Sequence, residues 1–433
     1  MSPEYVAMII LFGSLILLML LSMPIAFSLG VSALVTAIYL QIPFFNLFQK
    51  MSVGLSSFVF MAVPFFIMMA QIMSDGQITD RLMNFCKIIV GRVRGGTAIV
   101  NILVSMLFGG ISGSSSADVA SIGSMIIPAM KDEGYDSGYA VAVTVTSSVQ
   151  GVIIPPSQNM IFYVVAAASG LSISKLFVAG YVPGILLGIS LLIPTVVIAK
   201  KRNYPVSPKL GAKESLRVVA QALIGLGAIV VVIGGIVGGI FSATEAAGIA
   251  AVYALFVTTF IYKNMSFKLF IKGVIKTLPA LSTVMAIIAT SSAFSYVLSY
   301  LKVPQRLTMV LLSITDNSSI LMLLIILLLL VLGCFMDMGI LILLLTPILF
   351  PVATGIGYDP YQFGIILVLS LGVGLCTPPV GTSLFLGCSI GKVPVESVIK
   401  DFLPFYLSMI FMLLLITFIP AISLWLPSLI STV

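Results

Sequence analysis

Two stretches of the sequence, GVIIPPSQN at residues 151–159 and GLCTPPVGT at residues 374–382, decide the fold. Each stretch places a proline pair inside an apolar segment, where proline removes a backbone hydrogen bond and breaks an α-helix. Lipid offers no partner for the freed backbone groups, so such a break must line a cavity or a binding site. We therefore predict two broken helices, at residues 137–170 and 360–391. The alternative, a purely structural kink, is less consistent with the occurrence of the same pattern twice.

The composition indicates that lipid is the solvent of this chain. Of its 433 residues, 60% are hydrophobic and 8% are charged, whereas soluble domains carry about 25% charged residues. Residues 5–49 contain no charged side chain, although a membrane-spanning helix needs only about 20 apolar residues. We predict an all-α polytopic membrane protein in contact with the lipid bilayer.

The composition also excludes several classes of function. The chain has no histidine, which excludes histidine metal sites and histidine proton relays. Its four cysteines show no paired spacing, which argues against a disulfide framework. Basic loops beside anionic lipid explain the net charge of +7, so we expect no nucleic-acid partner. The first five residues carry no basic side chain, so we expect a first span there and no cleaved signal.

Two further apolar segments, at residues 95–130 and 307–352, are interrupted midway by polar residues. The interruption lies at residues 112–116 in the first segment. In the second it lies at residues 317–319 or at residues 336–339. We interpret both segments as re-entrant hairpins, which enter and leave the membrane on the same side.

The distribution of basic residues predicts the orientation of these segments. With the N-terminus outside and both hairpins re-entrant, the outer side holds only Lys50, Lys175, Lys302 and Arg306. All other Lys and Arg residues then lie inside, as the positive-inside rule requires. The largest basic loop, at residues 200–217, is accordingly predicted to be cytoplasmic, in a bacterial inner membrane with a periplasmic N-terminus.

An internal repeat relates the two halves of the chain. When the sequence is shifted by 223 residues, the interval from Gly110 to Gly333, several glycines, prolines and turn residues of the first half align with identical residues of the second half without a gap. The further matched positions are Pro128 and Pro351, Ser147 and Ser370, Gly151 and Gly374, the GYD turns at 134–136 and 357–359, and the proline pairs. Five predicted membrane spans separate the two copies of the repeat. Because this number is odd, the second copy has the opposite orientation in the membrane to the first. Inverted repeats with broken helices at the midplane are a common plan of secondary transporters.

The breaks supply ligands for ions of both signs. Carbonyl oxygens freed before each break suit a hard cation such as Na⁺, and N–H groups that open the next half-helix suit an anion. The first predicted Na⁺ site contains Ser112, Gly113, Ser114, Ser115, Gly151 and Ile154. The second contains Gly333, Asp337, Thr377 and Pro378. The predicted substrate ligands are Ser157, Gln158, Asn159, Gly381 and Thr382. We predict no catalytic residue.

Three carboxylates have both a functional and a structural interpretation. Asp337 lies among apolar residues, and an intramembrane carboxylate indicates function unless nearby N–H groups satisfy it. The spacing of Ser115 and Asp118 resembles a capping box, so we expect Asp118 to serve a helix N-terminus. The run SATE at residues 242–245 predicts that Glu245 belongs to a capping box as well.

The combination of motifs resembles the large membrane subunit of the tripartite ATP-independent periplasmic transporters, a branch of the wider ion-transporter superfamily. The likeness rests on residues 109–118, Pro128 with residues 133–136, and residues 154–157, 244–247 and 377–381. It implies Na⁺ coupling, a periplasmic substrate-binding protein and a small four-helix membrane partner. No segment of this chain resembles that partner, so we expect it to be a separate chain.

The resemblance also implies an elevator mechanism, in which a transport domain slides against a scaffold. Its first repeat would occupy residues 74–174 and its second repeat residues 277–395. The scaffold would occupy residues 1–73 and 175–276, and residues 396–433 would form a C-terminal helix. Within the family, the run PPSQNM at residues 155–160 is more similar to transporters of sugar acids, sialic acid among them, than to those of C4-dicarboxylates.

These observations predict Na⁺-coupled uptake of a small organic anion by a protein that is not an enzyme. Two alternatives remain open at this point. One is the Na⁺-pumping membrane subunit of a decarboxylase complex, which also places ions between broken helices. The other is a passive channel, against which the duplicated breaks argue.

Overall fold

A computed structural model describes residues 3–91, 93–167, 169–206, 212–315 and 317–430. These residues form α-helices with short 3₁₀ and π segments, and they contain no β-strand. Seven helices are long and apolar enough to cross a membrane, and a bent helix pair makes an eighth candidate. The predicted all-α polytopic class is confirmed.

The chain begins with helices that precede the first repeat. They are α1 (Pro3–Leu20), α2 (Ile25–Tyr39), α3 (Phe44–Leu55), α4 (Ala62–Asp75) and α5 (Ile78–Val90). The uncharged stretch at residues 5–49 does not continue as one helix after Ile25, because α2 ends at Tyr39 and α3 begins at Phe44. Pro43 lies directly before α3, where its ring cannot continue α2. Helix α5 was missed because Asp80, Arg81 and Lys87 interrupt its apolar pattern.

The first hairpin and the first broken helix follow. The hairpin consists of α6 (Gly96–Ser112), α7 (Ser115–Asp118), a π segment (Val119–Gly123) and α8 (Ser124–Asp132). The broken helix consists of α9 (Ser137–Ser147), α10 (Gln150–Ile153) and α11 (Gln158–Ala167). The half-helices Ser137–Ile153 and Gln158–Ala167 are bent by 47° at the proline pair, as the sequence predicted.

Four long helices connect the two repeats. They are α12 (Ile173–Lys201), α13 (Ala212–Val237), α14 (Ala243–Phe256, extended by the π segment Val257–Ile261) and α15 (Phe267–Tyr300). The predicted basic loop at residues 200–217 is shorter here, because α12 continues to Lys201 and α13 begins at Ala212. Residues 207–211 of that loop lie outside the described residues.

The second repeat contains α16 (Val303–Ile314), α17 (Ser318–Gly333), α18 (Met338–Gly355), α19 (Pro360–Leu375) and α20 (Thr382–Gly391). The chain reverses between α17 and α18, which confirms the second of the two breaks considered, at residues 336–339. The first of them, at residues 317–319, is not the tip of the hairpin. Asn317 instead accepts hydrogen bonds from the N–H groups of Ser319 and Ile320 and so caps α17. The second hairpin therefore spans 318–355, and α16 is a separate helix.

The chain ends with α21 (Val395–Phe418) and α22 (Ala421–Leu429). The single C-terminal helix expected at residues 396–433 is divided at Pro420, and residues 431–433 lie outside the described part of the chain. Both repeats use the same packing, since α6 packs on α10 and α17 packs on α19. Helix α20 packs on α9, so the second repeat's short half-helix contacts the first half of the other broken helix.

Glycine pairs allow each hairpin to lie directly against its broken helix. A Cβ placed on Gly151 would lie 2.6 Å from the Cα of Gly109. In the second repeat, a Cβ on Gly374 would lie 2.7 Å from the Cα of Gly333. Only residues without a side chain permit such close backbone contact. The glycines therefore hold both hairpin tips at the level of the two proline breaks.

Candidate ion and substrate site

The tip of the first hairpin is anchored to the first helix break. Gly113 ends α6 with a φ of +61°, a conformation that favours glycine. The side-chain amide of Asn159 donates a 2.8 Å hydrogen bond to the carbonyl oxygen of Gly113. A Cβ on Gly113 would lie 2.8 Å from the backbone nitrogen of Gln158. The hairpin turn and the start of α11 are thus held together.

Ser115 links this tip to both halves of the molecule. Its hydroxyl lies 2.6 Å from the hydroxyl of Ser148 and 2.8 Å from that of Ser383. Ser115 is 1% exposed, so these bonds form away from bulk solvent. Ser148 and Ser383 were not predicted from the sequence. Ser383 directly follows the predicted Thr382, but nothing in the sequence reveals its contact with a hairpin 268 residues away.

The remaining predicted residues of the first break have different environments. Ser157 donates a 2.7 Å hydrogen bond to the carbonyl oxygen of Val152 and is buried. The N–H of Ile154 donates a 2.8 Å bond to the carbonyl oxygen of Gln150. Ser112 lies 3.4 Å from the carbonyl oxygen of Ser114 and stabilises the turn. These residues shape the backbone of the site, and both Pro155–Pro156 and Pro378–Pro379 are cis peptide bonds.

The second tip meets the second break in a similar way. The N–H of Gly381 donates a 2.9 Å hydrogen bond to the carbonyl oxygen of Cys334. The Asp337 carboxylate accepts a 2.9 Å bond from the N–H of Gly339 and caps α18. Thr377 donates a 2.8 Å bond to the carbonyl oxygen of Val373. One carboxylate oxygen of Asp337 thus has a structural role, because a backbone N–H group satisfies it. This capping bond does not exclude a further role of Asp337 in the site.

A cavity of about 380 Å³ brings five predicted site residues together. They are Ser114, Ser115, Gln158, Asn159 and Asp337. The opposite wall belongs to α15, through Ala280, Thr283, Val284 and Ile287. The cavity, which we call the central cavity, thus lies between the two hairpin tips, the start of α11 and a long connecting helix.

The central cavity holds a single charged side chain among the residues that line it. This is Asp337, and no Lys or Arg lines the cavity. The N-terminus of the ten-residue helix α11 begins at Gln158, on the cavity wall, and its free N–H groups favour negative charge. An anion in this cavity would therefore meet dipoles, hydroxyls and an amide, but no basic side chain of the described chain.

Ten predicted residues do not line the central cavity, and they include all four that were predicted at the second break. Thr377 and Pro378 line a separate cavity of about 170 Å³ beside α21. Gly381 and Thr382 are not among the residues that line either space. They open α20 at the second break. The structure thus brings the first break and both hairpin tips together around one cavity, with the second break behind them.

The two other carboxylates differ from each other. Ser242 and Glu245 form the predicted capping box, in which Glu245 accepts a 2.8 Å bond from the N–H of Ser242. The expected capping role of Asp118 is wrong, because Ser114 caps α7 and accepts from the N–H of Ala117. Asp118 is 1% exposed, its carboxylate accepts no hydrogen bond from the described N–H groups of this helix end, and the Ser105 side chain lies beside it.

Comparison with known proteins adds a family to this geometry. Residues 12–422 match the family "Tripartite ATP-independent periplasmic transporter, DctM component". The chain is 36% identical to the C4-dicarboxylate TRAP transporter large permease protein DctM of Rhodobacter capsulatus, over 98% of this chain and 99% of that protein. It is 37% identical to the sialic acid TRAP transporter large permease protein SiaM of Vibrio cholerae, over 95% of this chain and 96% of that one.

A solved structure shares the fold at low sequence identity. The Alcanivorax borkumensis YdaH transporter is 12% identical and superposes with a TM-score of 0.65, covering 90% of this chain and 89% of its own. This likeness concerns the fold alone, and it agrees with the all-α architecture described above.

Proposed function

Because the chain belongs to the DctM component family of the tripartite ATP-independent periplasmic (TRAP) transporters, we propose that it carries a small organic anion across the inner membrane with Na⁺. Membership confirms the resemblance recognised in the sequence. It also confirms that the protein is a multi-pass inner-membrane transport subunit and not an enzyme. The decarboxylase-pump alternative is not favoured by this family.

One observation supports the proposed coupling to Na⁺ most strongly. The central cavity combines a carboxylate, Asp337, with dipoles that attract anions, and none of the described residues that line it is basic. A substrate carboxylate placed there would add a second negative charge in a poorly hydrated space, which is costly without cations. Bound Na⁺ ions at the two tips would supply the missing positive charge. Ion binding and anion binding then reinforce each other.

We propose two Na⁺ sites next to the cavity. The first would use oxygens of Ser112, Gly113, Ser114 and Ser115 together with those of Gly151 and Ile154. The bond from Asn159 to the carbonyl oxygen of Gly113 supports it, since this contact fixes one candidate ligand. The second would use Gly333, Asp337, Thr377 and Pro378, and the bond between Gly381 and Cys334 supports it by holding the second tip at the break.

Gln158 and Asn159 are the proposed contacts to the substrate's carboxylate, because both line the central cavity. In this proposal Ser157, Gly381 and Thr382 do not contact the substrate, and they stabilise the backbone of the two helix breaks. As the substrate we propose sialic acid or another sugar acid rather than a C4-dicarboxylate. Relatives named for both substrate classes are similarly close, so this preference rests on residues 155–160.

We further propose an elevator movement and a periplasmic N-terminus. The salt bridge between Arg306 and Glu4 supports this orientation, because it joins the N-terminus to the side with few basic residues. The transport domain would contain both hairpins and both broken helices, and it would slide against the scaffold. A separate four-helix membrane subunit and a periplasmic substrate-binding protein would complete the transporter.

Uptake into proteoliposomes tests this proposal. The chain would be reconstituted with its small subunit and supplied with the periplasmic binding protein and radiolabelled sialic acid. Other sugar acids and C4-dicarboxylates would follow. Accumulation that requires the binding protein supports the tripartite function and identifies the substrate. If every one of these anions fails to accumulate, the proposed function is wrong.

A further inference from the structure

A second cavity, larger than the central one, lies between α3, the end of α11 and the last part of α15. Its volume is about 540 Å³, and we call it the outer cavity. Its wall contains five serines, which are Ser57, Ser291, Ser292, Ser295 and Ser299. Lys50 is the only charged residue among those that line it.

Lys50 has no carboxylate partner in the described chain. The salt bridges found there join other residues. The ammonium group lies 5.8 Å from the centre of the Tyr296 ring, and the Tyr296 hydroxyl accepts a 3.4 Å hydrogen bond from Asn46. An aromatic ring can hold a cation in place without neutralising its charge. Lys50 therefore presents its positive charge to the outer cavity.

The outer cavity adjoins the central cavity. Leu343 lines both of them, and consecutive α15 residues, Ile287 and Ile288, line one cavity each. From Ile287, α15 continues to Ser299 on the far wall, a rise of about 18 Å at 1.5 Å per residue. In the proposed orientation this direction leads to the periplasm. The two cavities are thus neighbours, and in that orientation the outer cavity lies on the periplasmic side of the site between the hairpin tips.

We propose that the outer cavity is an anion-capture subsite, in which Lys50 and the hydroxyls of Ser57, Ser295 and Ser299 bind the substrate's carboxylate before it reaches the central cavity. The hydroxyls of Ser291 and Ser292 donate to the carbonyl oxygen of Ile288 and so have no proton left for the anion. The inference rests on the proposed function for its direction and its substrate. Ammonium and hydroxyl groups are donors that match a hydroxylated carboxylate. The central cavity lacks a basic side chain, so Lys50 provides positive charge for the anion before the Na⁺-dependent site takes it over.

A charge-selective chemical probe tests this subsite without knowledge of the substrate. Ser295→Cys would place a thiol on the cavity wall, and the four native cysteines are buried. We would compare its rates of modification by an anionic and a cationic methanethiosulfonate in the complex with the small subunit. Lys50→Gln should lower the ratio of anionic to cationic rates about three- to tenfold, as expected for the loss of one partly screened charge. Lys50→Arg should preserve the ratio.

Lys175→Gln is the matched control. Lys175 lies on the same side of the membrane by the charge distribution, and its ammonium group is also held by a tyrosine, 5.2 Å from the Tyr361 ring. It does not line the outer cavity. This variant should leave the ratio unchanged. The proposed subsite would be overturned if Lys50→Gln left the ratio of anionic to cationic modification rates at the level of the Ser295→Cys parent. It would also be overturned if Lys50→Gln and Lys175→Gln lowered that ratio equally.

Transport kinetics provide the second readout. With the anion that the unmodified chain accumulates, Lys50→Gln should raise the apparent KM about three- to tenfold and leave the maximal rate nearly unchanged. The effect should persist for free substrate at a concentration high enough to bypass the binding protein. An effect confined to assays with the binding protein would assign Lys50 to protein docking and refute the subsite. If no anion is accumulated at all, the proposed function fails, and the modification ratio still decides the subsite.

Discussion

The close contact of glycines between hairpin and broken helix gives the sharpest structural prediction. Gly151→Ala adds a Cβ that would stand 2.6 Å from the Cα of Gly109, whereas non-bonded carbons prefer about 3.5–4.0 Å. The neighbouring atom is backbone, so α6 and α10 must separate by roughly an ångström. Overpacking of this kind costs about 1–3 kcal/mol, and the gain in helix propensity recovers up to about 1 kcal/mol.

We therefore expect Gly151→Ala to lower stability by about 1–2 kcal/mol in net terms. Gly374→Ala should behave alike, since its Cβ would lie 2.7 Å from the Cα of Gly333. Gly248→Ala is the control, because it lies in α14 with no atom within 4 Å of its added Cβ. That variant should unfold at or slightly above the midpoint of the unmodified chain, with unchanged uptake.

The assay is thermal unfolding of the purified complex at one fixed scan rate, combined with Na⁺-dependent uptake. The scan rate is fixed because unfolding of such proteins is often irreversible. Gly151→Ala and Gly374→Ala should both lower the unfolding temperature midpoint and reduce Na⁺-dependent uptake, because separation of the helices moves a hairpin tip away from its helix break. A Gly151→Ala variant that matches Gly248→Ala in both measurements would refute the proposed packing role.

Three further predictions concern the site and its supports. Ser115→Ala should weaken the apparent affinity for Na⁺ severalfold and lower stability by about 1–2 kcal/mol, because it removes buried hydroxyl bonds; unchanged Na⁺ titration curves would contradict this. Asp337→Ala should change the Na⁺ dependence of uptake. Asp337→Asn keeps an acceptor for the N–H of Gly339 and so isolates the effect of the charge. If the Na⁺ kinetics are unchanged in both variants, Asp337 is not part of the ion site. Ser242→Ala should cost about 1 kcal/mol through loss of the capping box and leave the Na⁺ dependence intact, and an altered Na⁺ dependence would show that the cap is coupled to transport.

The sequence predicted those features that local chemistry determines. Proline pairs break helices wherever they occur in lipid, and the small residues around Gly113 are suited to a tight turn, so both broken helices and the first hairpin were found. The tip of the second hairpin remained ambiguous because Asn317 and residues 336–339 are both polar breaks. A helix cap and a hairpin tip look alike until their partners are known, and here the Asn317 side chain accepts hydrogen bonds from the N–H groups that open its own helix.

The sequence could not predict contacts between distant segments. The bond between Ser115 and Ser383 crosses 268 residues, and the lining of the central cavity by α15 joins segments that share no motif. The interpretation of Asp118 failed for a related reason. Its spacing fitted a cap, but Ser114 occupies the cap position, and the Asp118 carboxylate is buried and makes no capping bond.

The central claim, that Na⁺ drives anion accumulation through the site between the hairpin tips, is tested most directly by imposing a Na⁺ gradient alone. Proteoliposomes would contain the chain and its small subunit, with binding protein and the identified anion outside and no gradient of pH. The account predicts accumulation above the external concentration that collapses when a Na⁺ ionophore is added. Accumulation that survives the ionophore, or that never exceeds equilibrium under a Na⁺ gradient, would contradict it.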